Sequence, residues 1–450
     1  MVLVGCEGWA AAGGPQTTHF SPLINYNHAG DVYYIEHPQV KDGKLYYLSF
    51  GPGQFVVPYY TGKLLNIPYT PLLLQVINLL VHLLCGWLLY RIVLLLSGNK
   101  NDRAAKWAVL FFFFSAETLW FFGNGYVHES MVMPFFLAGI YYALKIFAGQ
   151  EMGNSRNTFM LGLVIFAGVF FDWLMLFFAA GVSLMAMYGM LRKKEKQWAI
   201  FLVSAIAGLA ALGGIIWLYS SYYGAERFWN LLLNKYGNRN GFAGDTSVSG
   251  TTMIISLAKH FATGYLPLLL LLTGGLFVFL RKRKDIPAPM KIFLLLNIPA
   301  LVYFLAFVSF SAEHDYSVLK FSVLISVLSG FALNSFFVKK NSQLAAAFII
   351  VALNAALYYY INPPGKKGFN GDDYAIEQRA GLLIKTHAQP DELVTHNMRN
   401  ANWLAVYYYS KRNSLYMPDA DSARRFFEGT PAGKMVFVDV VGDTAVHYHK

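Results

Sequence analysis

Acidic and histidine side chains recur at one set of ends of the apolar segments of this chain. The set consists of Glu117, His128, Glu129, Asp172, Glu313, His314 and Asp315. Carboxylates and imidazoles act as general acids and bases, and both bind metal ions. Charged groups at membrane depth are costly and commonly line a cavity or a pathway. The set therefore predicts a polar cleft on one side of a membrane, although acids that merely sit in headgroup water would give the same pattern.

The segment His314-Asp315-Tyr316, followed by Lys320, is the sharpest local feature. Tyr316 and Lys320 are four residues apart, so they would share one face of an α-helix. Lys320 lies inside the apolar segment, from which an ammonium can extend to the headgroup level and meet an anion. We expect that anion to be a lipid phosphate, bound with help from His314, Asp315, Tyr316 and His128. Ordinary snorkelling without a specific partner is the alternative.

A second polar group precedes the first long apolar segment. It contains Asp31, Glu36 and His37, with His19 upstream. A carboxylate close to an acceptor at the membrane surface could act as a general base or hold a divalent metal. The candidate catalytic residues are therefore Asp31, Glu36, His19 and Glu129. A divalent metal is possible, but the sequence does not identify its ligands, and solvated loops can have a similar composition.

Long apolar segments between Thr70 and Ile361 must position these groups. Each is close to the roughly 20 residues that a helix needs to cross a bilayer. Of the 450 residues, 56% are hydrophobic and 14% are charged, whereas soluble domains carry about 25% charged residues. The chain is therefore a polytopic α-helical membrane protein of about ten spans. We predict spans at 70–96, 104–122, 129–147, 157–171, 173–191, 198–219, 263–281, 291–309, 317–338 and 343–361.

The short connections between these spans alternate between a basic and an acidic type. Because basic short loops face the cytoplasm, the acids and histidines gather on the outer face. The net charge of +11 is largely explained by these loops, so no nucleic-acid partner is expected. The basic residues are Lys100, Arg103, Lys106, Arg156, Arg192, Lys193, Lys194, Lys196, Arg281, Lys282, Arg283, Lys284, Lys339 and Lys340.

Three segments follow from this topology: an external region at 1–69, a transmembrane domain at 70–361 and a small external α/β domain at 362–450. The apolar stretch at 1–13 is too short to cross and is interpreted as the remnant of a first helix. A polar segment at 220–262 predicts a flexible outer loop. In the C-terminal domain we expect strands at 392–395 and 434–441, and helices at 372–383 and 403–409.

Several common chemistries leave no trace in the sequence. Walker-type, GxSxG, GxGxxG-plus-strand and Cys/His metal spacings are all absent, and each would mark a specific mechanism. This argues against ATP-driven transport and the common soluble hydrolases. Secondary transporters usually show internal repeats and polar sites at the midplane. Here the polar groups gather at one face, so transport is not the preferred interpretation.

The layout resembles that of the integral-membrane glycosyltransferases of the GT-C superfamily, in particular bacterial relatives of protein mannosyltransferase and aminoarabinose transferase. The order Gly30-Asp31, then Gly51-Pro52-Gly53-Gln54-Phe55, then Gly62 to Pro68 matches the first outer loop of those families. His314-Asp315-Tyr316 before a long helix matches a late outer loop, and the α/β tail resembles their external domain. One departure is that Pro15 to His19, where the families carry their catalytic acid, contains no carboxylate. Either Asp31, Glu36 or His19 takes that role, or the enzyme differs in mechanism or is inactive.

The resemblance implies transfer of a sugar from a polyprenyl-phosphate-linked donor. The acceptor would be a glycan, a lipid or a protein on the outer face of a bacterial inner membrane. A carboxylate would deprotonate the acceptor while cationic groups stabilise the departing lipid phosphate. The alternative is a protein that binds or moves polyprenyl-linked glycans without catalysis. Membrane lipid is expected as a partner in both cases.

Overall fold

A computed structural model describes residues 1–26, 28–33, 39–98, 102–148, 154–192, 197–240, 250–282, 286–361, 373–399 and 402–450. These residues divide into two compact units. The helical unit contains Leu74–Ile216 and Leu233–Tyr360. The mixed unit contains Met1–Leu73, Trp217–Leu232 and Ile361–Lys450. The three sequence-defined segments, with boundaries at 69/70 and 361/362, stay a prediction.

Helices dominate the described residues. The α-helices are α1 (Val2–Ala11), α2 (Gly53–Leu65), α3 (Pro71–Leu96), α4 (Asp102–Phe114), α5 (Ala116–Gly123), α6 (His128–Phe147), α7 (Ser155–Val169), α8 (Leu174–Leu191), α9 (Gln197–Tyr223), α10 (Ala225–Asn240), α11 (Gly250–Lys282), α12 (Ala288–Ala306), α13 (Val308–Glu313), α14 (Ser322–Phe336), α15 (Lys340–Ile361), α16 (Asp373–His387), α17 (Trp403–Ser410) and α18 (Ala420–Gly429). Two 3₁₀ helices cover Pro15–Thr18 and Asp315–Phe321.

Eight helical segments of the described chain are long and apolar enough to cross a membrane. A ninth arises if the bent pair α4 and α5 counts as one span. The predicted span at 157–171 corresponds to α7, which has only 15 residues and falls below that length. The prediction of a polytopic α-helical membrane protein with a small C-terminal α/β domain is confirmed.

The predicted span at 104–122 is two helices that meet at a bend of 59°. Ser115 caps α5, because its hydroxyl accepts a hydrogen bond from the amide of Thr118 at 3.3 Å. The Thr118 hydroxyl in turn donates to the carbonyl of Phe112, which lies at the break. Backbone groups freed inside a membrane must find such partners. The bend therefore leaves few unsatisfied groups and turns Glu117 into the protein interior.

Small residues allow α4 and α14 to pack closely. A Cβ atom on Gly330 would lie 2.6 Å from the carbonyl oxygen of Ala104 and 2.9 Å from the Cβ of Ala108. Close approach through small residues is a common basis of helix association in membranes. This contact holds the middle of α14 against α4.

The segment at 220–262 differs from the flexible loop that the sequence predicts. Residues 225–240 form α10, and α11 begins at Gly250. Asn and Gly residues interrupt an apolar stripe in this segment. Two residues of that stripe, Phe228 and Leu231, are buried. Composition indicated a loop, whereas tertiary burial of that stripe stabilises a helix.

In the mixed unit, α1 is a packed element. Cys6 and Trp9 are buried, and the indole nitrogen of Trp9 donates to the Thr18 hydroxyl and the Ser21 carbonyl, both at 3.0 Å. A Cβ atom on Gly8 would lie 2.5 Å from the carbonyl oxygen of Leu23. The helix therefore lies directly against the following chain.

Six short strands complete the mixed unit. β1 (Val40–Lys41) and β2 (Lys44–Leu45) form a hairpin whose turn contains Asp42 and Gly43, both at positive φ. β3 (Leu393–His396), β4 (Leu415–Tyr416), β5 (Lys434–Asp439) and β6 (Thr444–His449) form one sheet in the order β4-β3-β5-β6. β3 is parallel to β4 and β5, and β6 is antiparallel to β5. The predicted strands and helices of this segment are present, with ends shifted by a few residues.

Candidate active site

Three side chains of the helical unit form a buried cluster at the start of α6. His128 and Glu129 occupy the first turn of α6, and Asp172 lies in the turn between α7 and α8. One Asp172 carboxylate oxygen accepts the amide of Leu174 at 2.7 Å, which holds the acid at the start of α8. All three residues are buried. Two helix starts therefore bring together groups that are more than forty positions apart in the sequence.

The cluster joins one imidazole to two carboxylates. Nε2 of His128 lies 2.9 Å from Oε1 of Glu129 and 3.3 Å from Oδ2 of Asp172. Glu129 is only 2% exposed, and its Oε2 has no hydrogen-bond partner in the described part of the chain. Buried carboxylates without partners are costly. Such a group is suited to accept a proton or a cation.

Lys320 is the nearby cation. Its side chain lies in the 3₁₀ helix Asp315–Phe321 and is 2% exposed. Nζ donates to the carbonyl of Ser317 at 2.6 Å and lies 4.9 Å from the centre of the Tyr303 ring. The ammonium is thus enclosed by neighbouring protein groups. Glu129, Asp172 and Glu117 all interact with its charge.

Tyr316 and Lys320 do not share an α-helical face as predicted, because this segment is a 3₁₀ helix with three residues per turn. Tyr316 packs against other aromatic groups. The centre of its ring lies 5.8 Å from that of His128 and 5.0 Å from that of His314. His314 in turn stacks on Phe310 at 4.3 Å. Three of the four predicted ligands, His128, His314 and Tyr316, thus lie close together through ring contacts.

Glu117 is a further buried acid of this region. It is 5% exposed and interacts with the charges of Asp315, Lys320 and Glu129. A Cβ atom on Gly264 of α11 would lie 2.8 Å from Oε2 of Glu117. Glycine at that position therefore provides the space that the carboxylate occupies.

Two residues that the sequence did not single out adjoin the cluster. Tyr303 on α12 interacts with Asp172 and Glu129, besides its contact with Lys320. Arg239, near the end of α10, lies 4.7 Å from the centre of the Phe310 ring and acts on the charges of His128 and Glu129. A tyrosine in an apolar helix gives no functional signal, and Arg239 lay in a segment interpreted as a flexible loop.

Asp31 belongs to the mixed unit and forms a buried ion pair. Its Oδ1 accepts the Nε of Arg412 at 3.0 Å and the amide of Asn413 at 2.9 Å, and its Oδ2 accepts the amide of His28 at 3.1 Å. Burial raises the pKa of the Asp31 carboxyl, and Arg412 opposes that shift. Because both oxygens are occupied, this acid joins the first loop to the C-terminal segment, and the structure offers no free oxygen to an acceptor.

Replacement of Arg412 by methionine is expected to destabilise the mixed unit by about 3–5 kcal/mol, because it leaves a buried carboxylate without its partner. The guanidinium also donates to the carbonyls of Gln389 and Glu392 at 2.6 and 2.5 Å. Chemical denaturation of the purified protein would measure the loss.

The exposed ion pair between Arg424 and Glu428 provides the control. Arg424→Met should change stability by less than about 1 kcal/mol. The double variant Asp31→Asn with Arg412→Met should recover part of the loss. Equal effects of Arg412→Met and Arg424→Met would contradict a structural role of the buried pair.

The remaining catalytic candidates are His19 and Glu36. His19 belongs to the mixed unit, where its Nδ1 lies 2.8 Å from the Ser221 hydroxyl and its ring packs near Tyr222. It is exposed and adopts a positive φ. Glu36 lies outside the described residues. Among the predicted catalytic residues that the structure describes, Glu129 is the member of the cluster with His128 and Asp172.

Comparison with known proteins shows the fold. No protein-family model matches the chain, and no curated protein matches it by sequence. Solved structures do match. The structure of ArnT from Cupriavidus metallidurans bound to undecaprenyl phosphate has a TM-score of 0.63 and 12% identity, and the match covers 97% of this chain and 87% of ArnT.

Two structures of the Archaeoglobus fulgidus oligosaccharyltransferase also match. AglB in complex with an inhibitory peptide and a dolichol-phosphate has a TM-score of 0.56 and 12% identity, with coverage of 97% of this chain and 65% of that chain. The complex with Zn and sulfate has a TM-score of 0.56 and 11% identity, with coverage of 97% and 68%. ArnT is the aminoarabinose transferase, and both proteins are GT-C membrane glycosyltransferases. This chain is therefore a multi-pass membrane protein with the GT-C fold, as its sequence resemblance predicts.

Proposed function

We propose that this protein transfers a sugar from a polyprenyl-phosphate-linked donor to an acceptor on the outer face of a bacterial inner membrane. The observation that carries the proposal is the buried cluster of Glu129, His128 and Asp172 beside Lys320. It combines candidate bases with a cation in the interior of a membrane fold. Intramembrane groups of this kind usually serve a function.

The solved neighbours support a lipid-linked donor. The ArnT structure contains undecaprenyl phosphate, and an AglB structure contains a dolichol-phosphate. In this chain, Lys320 offers the positive charge that such a phosphate needs, and charge-assisted contacts to phosphate are among the stronger hydrogen bonds. Sugar and acceptor stay open, and the acceptor is a glycan, a lipid or a protein.

We assign the base role to Glu129. Its carboxylate would take the proton of the acceptor hydroxyl or amine as that group bonds to the anomeric carbon of the donor. The bond from the anomeric carbon to the phosphate oxygen breaks, and its electron pair leaves with the lipid phosphate. Lys320 would stabilise the charge that develops on this leaving group. The proton ends on Glu129, so atoms and charge balance.

Neighbouring residues would orient these groups. His128 and Asp172 fix the position of Glu129 through the short contacts to Nε2. Tyr316 and His314 present aromatic faces beside the cluster, and apolar sugar faces pack well on such surfaces. The Asp315 carboxylate accepts a hydrogen bond from the amide of Tyr316 at 2.9 Å. This bond stabilises the turn that carries the two rings.

The same three residues fit a divalent cation. One ligand atom each from His128, Glu129 and Asp172 lies within 4.8 Å of the others. Ligand atoms around one ion can be this far apart, because metal–ligand distances are about 2.0–2.6 Å. A bound ion would supply positive charge to the reacting groups. With the ion bound, Glu129 and Asp172 would both be ligands of the metal.

Turnover tests the proposal directly. The purified protein, reconstituted in lipid, is supplied with a panel of radiolabelled polyprenyl-phosphate sugars and envelope acceptors. We expect label in the acceptor and release of polyprenyl phosphate, both lost in Glu129→Gln. Saturable binding of the donors without transfer would instead support non-catalytic handling of lipid-linked glycans.

The outer location of the C-terminal segment gives a further prediction. Cys6 and Cys85 are both buried, so a new surface cysteine would dominate labelling by an impermeant maleimide. In intact spheroplasts we expect Thr444→Cys to be labelled and Ser155→Cys, beside the basic Arg156, to react only after lysis. Both positions are exposed. Labelling of Ser155→Cys in intact spheroplasts would overturn the topology.

A further inference from the structure

A groove separate from the cluster lies between α3 and α4 of the helical unit. Its volume is about 430 Å³, and Trp87, Val109, Leu110 and Phe113 form its apolar walls. Gly86 lets the Phe113 ring pack directly against α3, because a Cβ atom there would lie 2.2 Å from Cζ of Phe113. α3 is long and apolar enough to cross a membrane, and so is α4 together with α5, so lipid rather than water is available to this surface.

Basic and aromatic residues surround one end of the groove. Lys106 lines it and forms an ion pair with Asp102, which also accepts the hydroxyl of Tyr90. Arg91, one position after Tyr90, donates to the hydroxyl of Tyr141 at 3.2 Å and lies over the Trp87 ring at 5.6 Å. The aromatic rings thus hold a cation beside the apolar walls.

The charge at this end is positive. Among the described residues, Arg91, Arg103, Lys106 and Lys145 contribute four cations at this end, and Asp102 contributes an acid. Lys145 lies over the Tyr141 ring at 5.8 Å, so it adjoins Arg91 across the same tyrosine. Lys106 and Arg91 each keep further N–H donors beyond the contacts described. An anion with an apolar tail would satisfy both the donors and the walls.

We propose that this groove binds one anionic diacyl phospholipid, with an acyl chain between α3 and α4 and the phosphate against Lys106 and Arg91. Basic pockets between transmembrane helices are suited to anionic headgroups, and each cation near the surface strengthens such binding about five-fold. A zwitterionic lipid carries no net charge and gains less from this rim. The site lies at the end of the helices that carries basic loops, and the proposal does not depend on sugar transfer.

Native mass spectrometry of the purified protein tests this site. Bound phosphatidylglycerol is measured in competition with phosphatidylcholine of the same chains. We expect retention of phosphatidylglycerol at one equivalent, and about five-fold weaker binding in Lys106→Gln. Arg424→Gln removes an exposed cation of the mixed unit, outside the helical unit that carries the groove, and should leave the binding unchanged.

Two variants that fill the groove separate specific binding from general charge attraction. Gly86→Leu and Val109→Trp both occupy the space, and both should lose the bound lipid while Arg91 and Lys106 remain. If Gly86→Leu fails to fold, the lipid retention of Val109→Trp alone decides whether binding is specific. Equal retention in Val109→Trp and wild type, or no preference over phosphatidylcholine, would overturn the proposal. Displacement of the lipid by a short-chain polyprenyl phosphate, with the same dependence on Lys106, would reassign the groove to a polyprenyl chain.

Discussion

Glu129→Gln is expected to lower the rate of sugar transfer by about 10²–10⁴-fold, the range that general acid–base groups contribute. Glutamine keeps the size of the side chain but cannot accept the acceptor's proton. Glu129 is buried within 2.9 Å of His128, so the substitution removes charge without opening a cavity. The measurement is single-turnover transfer in lipid, alongside the melting temperature.

Matched variants decide what the loss means. Glu428→Gln changes an exposed glutamate on α18 and should leave transfer unchanged. Asp172→Asn tests the role of Asp172 in orienting Glu129, and it should lower the rate less than Glu129→Gln does. A Glu129→Gln enzyme within a few-fold of wild type would return the base role to the other candidates. These are Asp31, Glu36 and His19, of which Asp31 would first have to leave its ion pair with Arg412.

Much of the fold is predictable from the sequence because bilayer thickness imposes a length on each apolar segment. Most of the observed helices match the predicted spans, and the strands at 393–396 and 434–439 match the predicted ones closely. Periodicity could not predict α10, since Asn and Gly interrupt its stripe and only burial of Phe228 and Leu231 reveals it. The bend at Ser115 was also hidden, because the apolar run continues through it.

The candidate site was predictable in part. Topology alone placed Glu129, His128 and Asp172 at one set of helix ends, because the acids alternate with basic connections along the chain. The sequence could not show that a single imidazole nitrogen contacts both acids, or that Asp31 pairs with Arg412 across 381 positions. Long-range pairs of this kind depend on tertiary packing, which has no periodic signature.

The local structure around Lys320 could not be predicted from the sequence either. Residues four apart suggested an α-helical face shared with Tyr316, but the segment is a 3₁₀ helix. Its ammonium lies 4.9 Å from the centre of the Tyr303 ring and 5.7 Å from that of Phe304. Aromatic rings stabilise a desolvated cation by about 2 kcal/mol or more. This contribution helps to hold Lys320 in the interior, beside the acids.

Lys320→Met is expected to weaken binding of a polyprenyl-phosphate donor by about 10–100-fold, since a charge-assisted hydrogen bond contributes about 1.5–3 kcal/mol. Methionine keeps an apolar stem between the Tyr303 and Phe304 rings, so the packing should survive. Lys320→Arg should retain part of the affinity. The measurement is donor binding to the reconstituted protein, with and without the sugar on the lipid phosphate.

The comparison of the two donor forms separates phosphate binding from a structural role. Loss of a phosphate contact should weaken binding of the sugar-linked donor and of the bare polyprenyl phosphate alike, whatever the change in melting temperature. Lys340→Met, at an exposed basic position, should alter neither. If Lys320→Met lowers the melting temperature but leaves both affinities intact, the ammonium serves only to neutralise Glu117, Glu129 and Asp172. Arg239, which lies against Phe310 and acts on the same cluster, would then be the cation to test next.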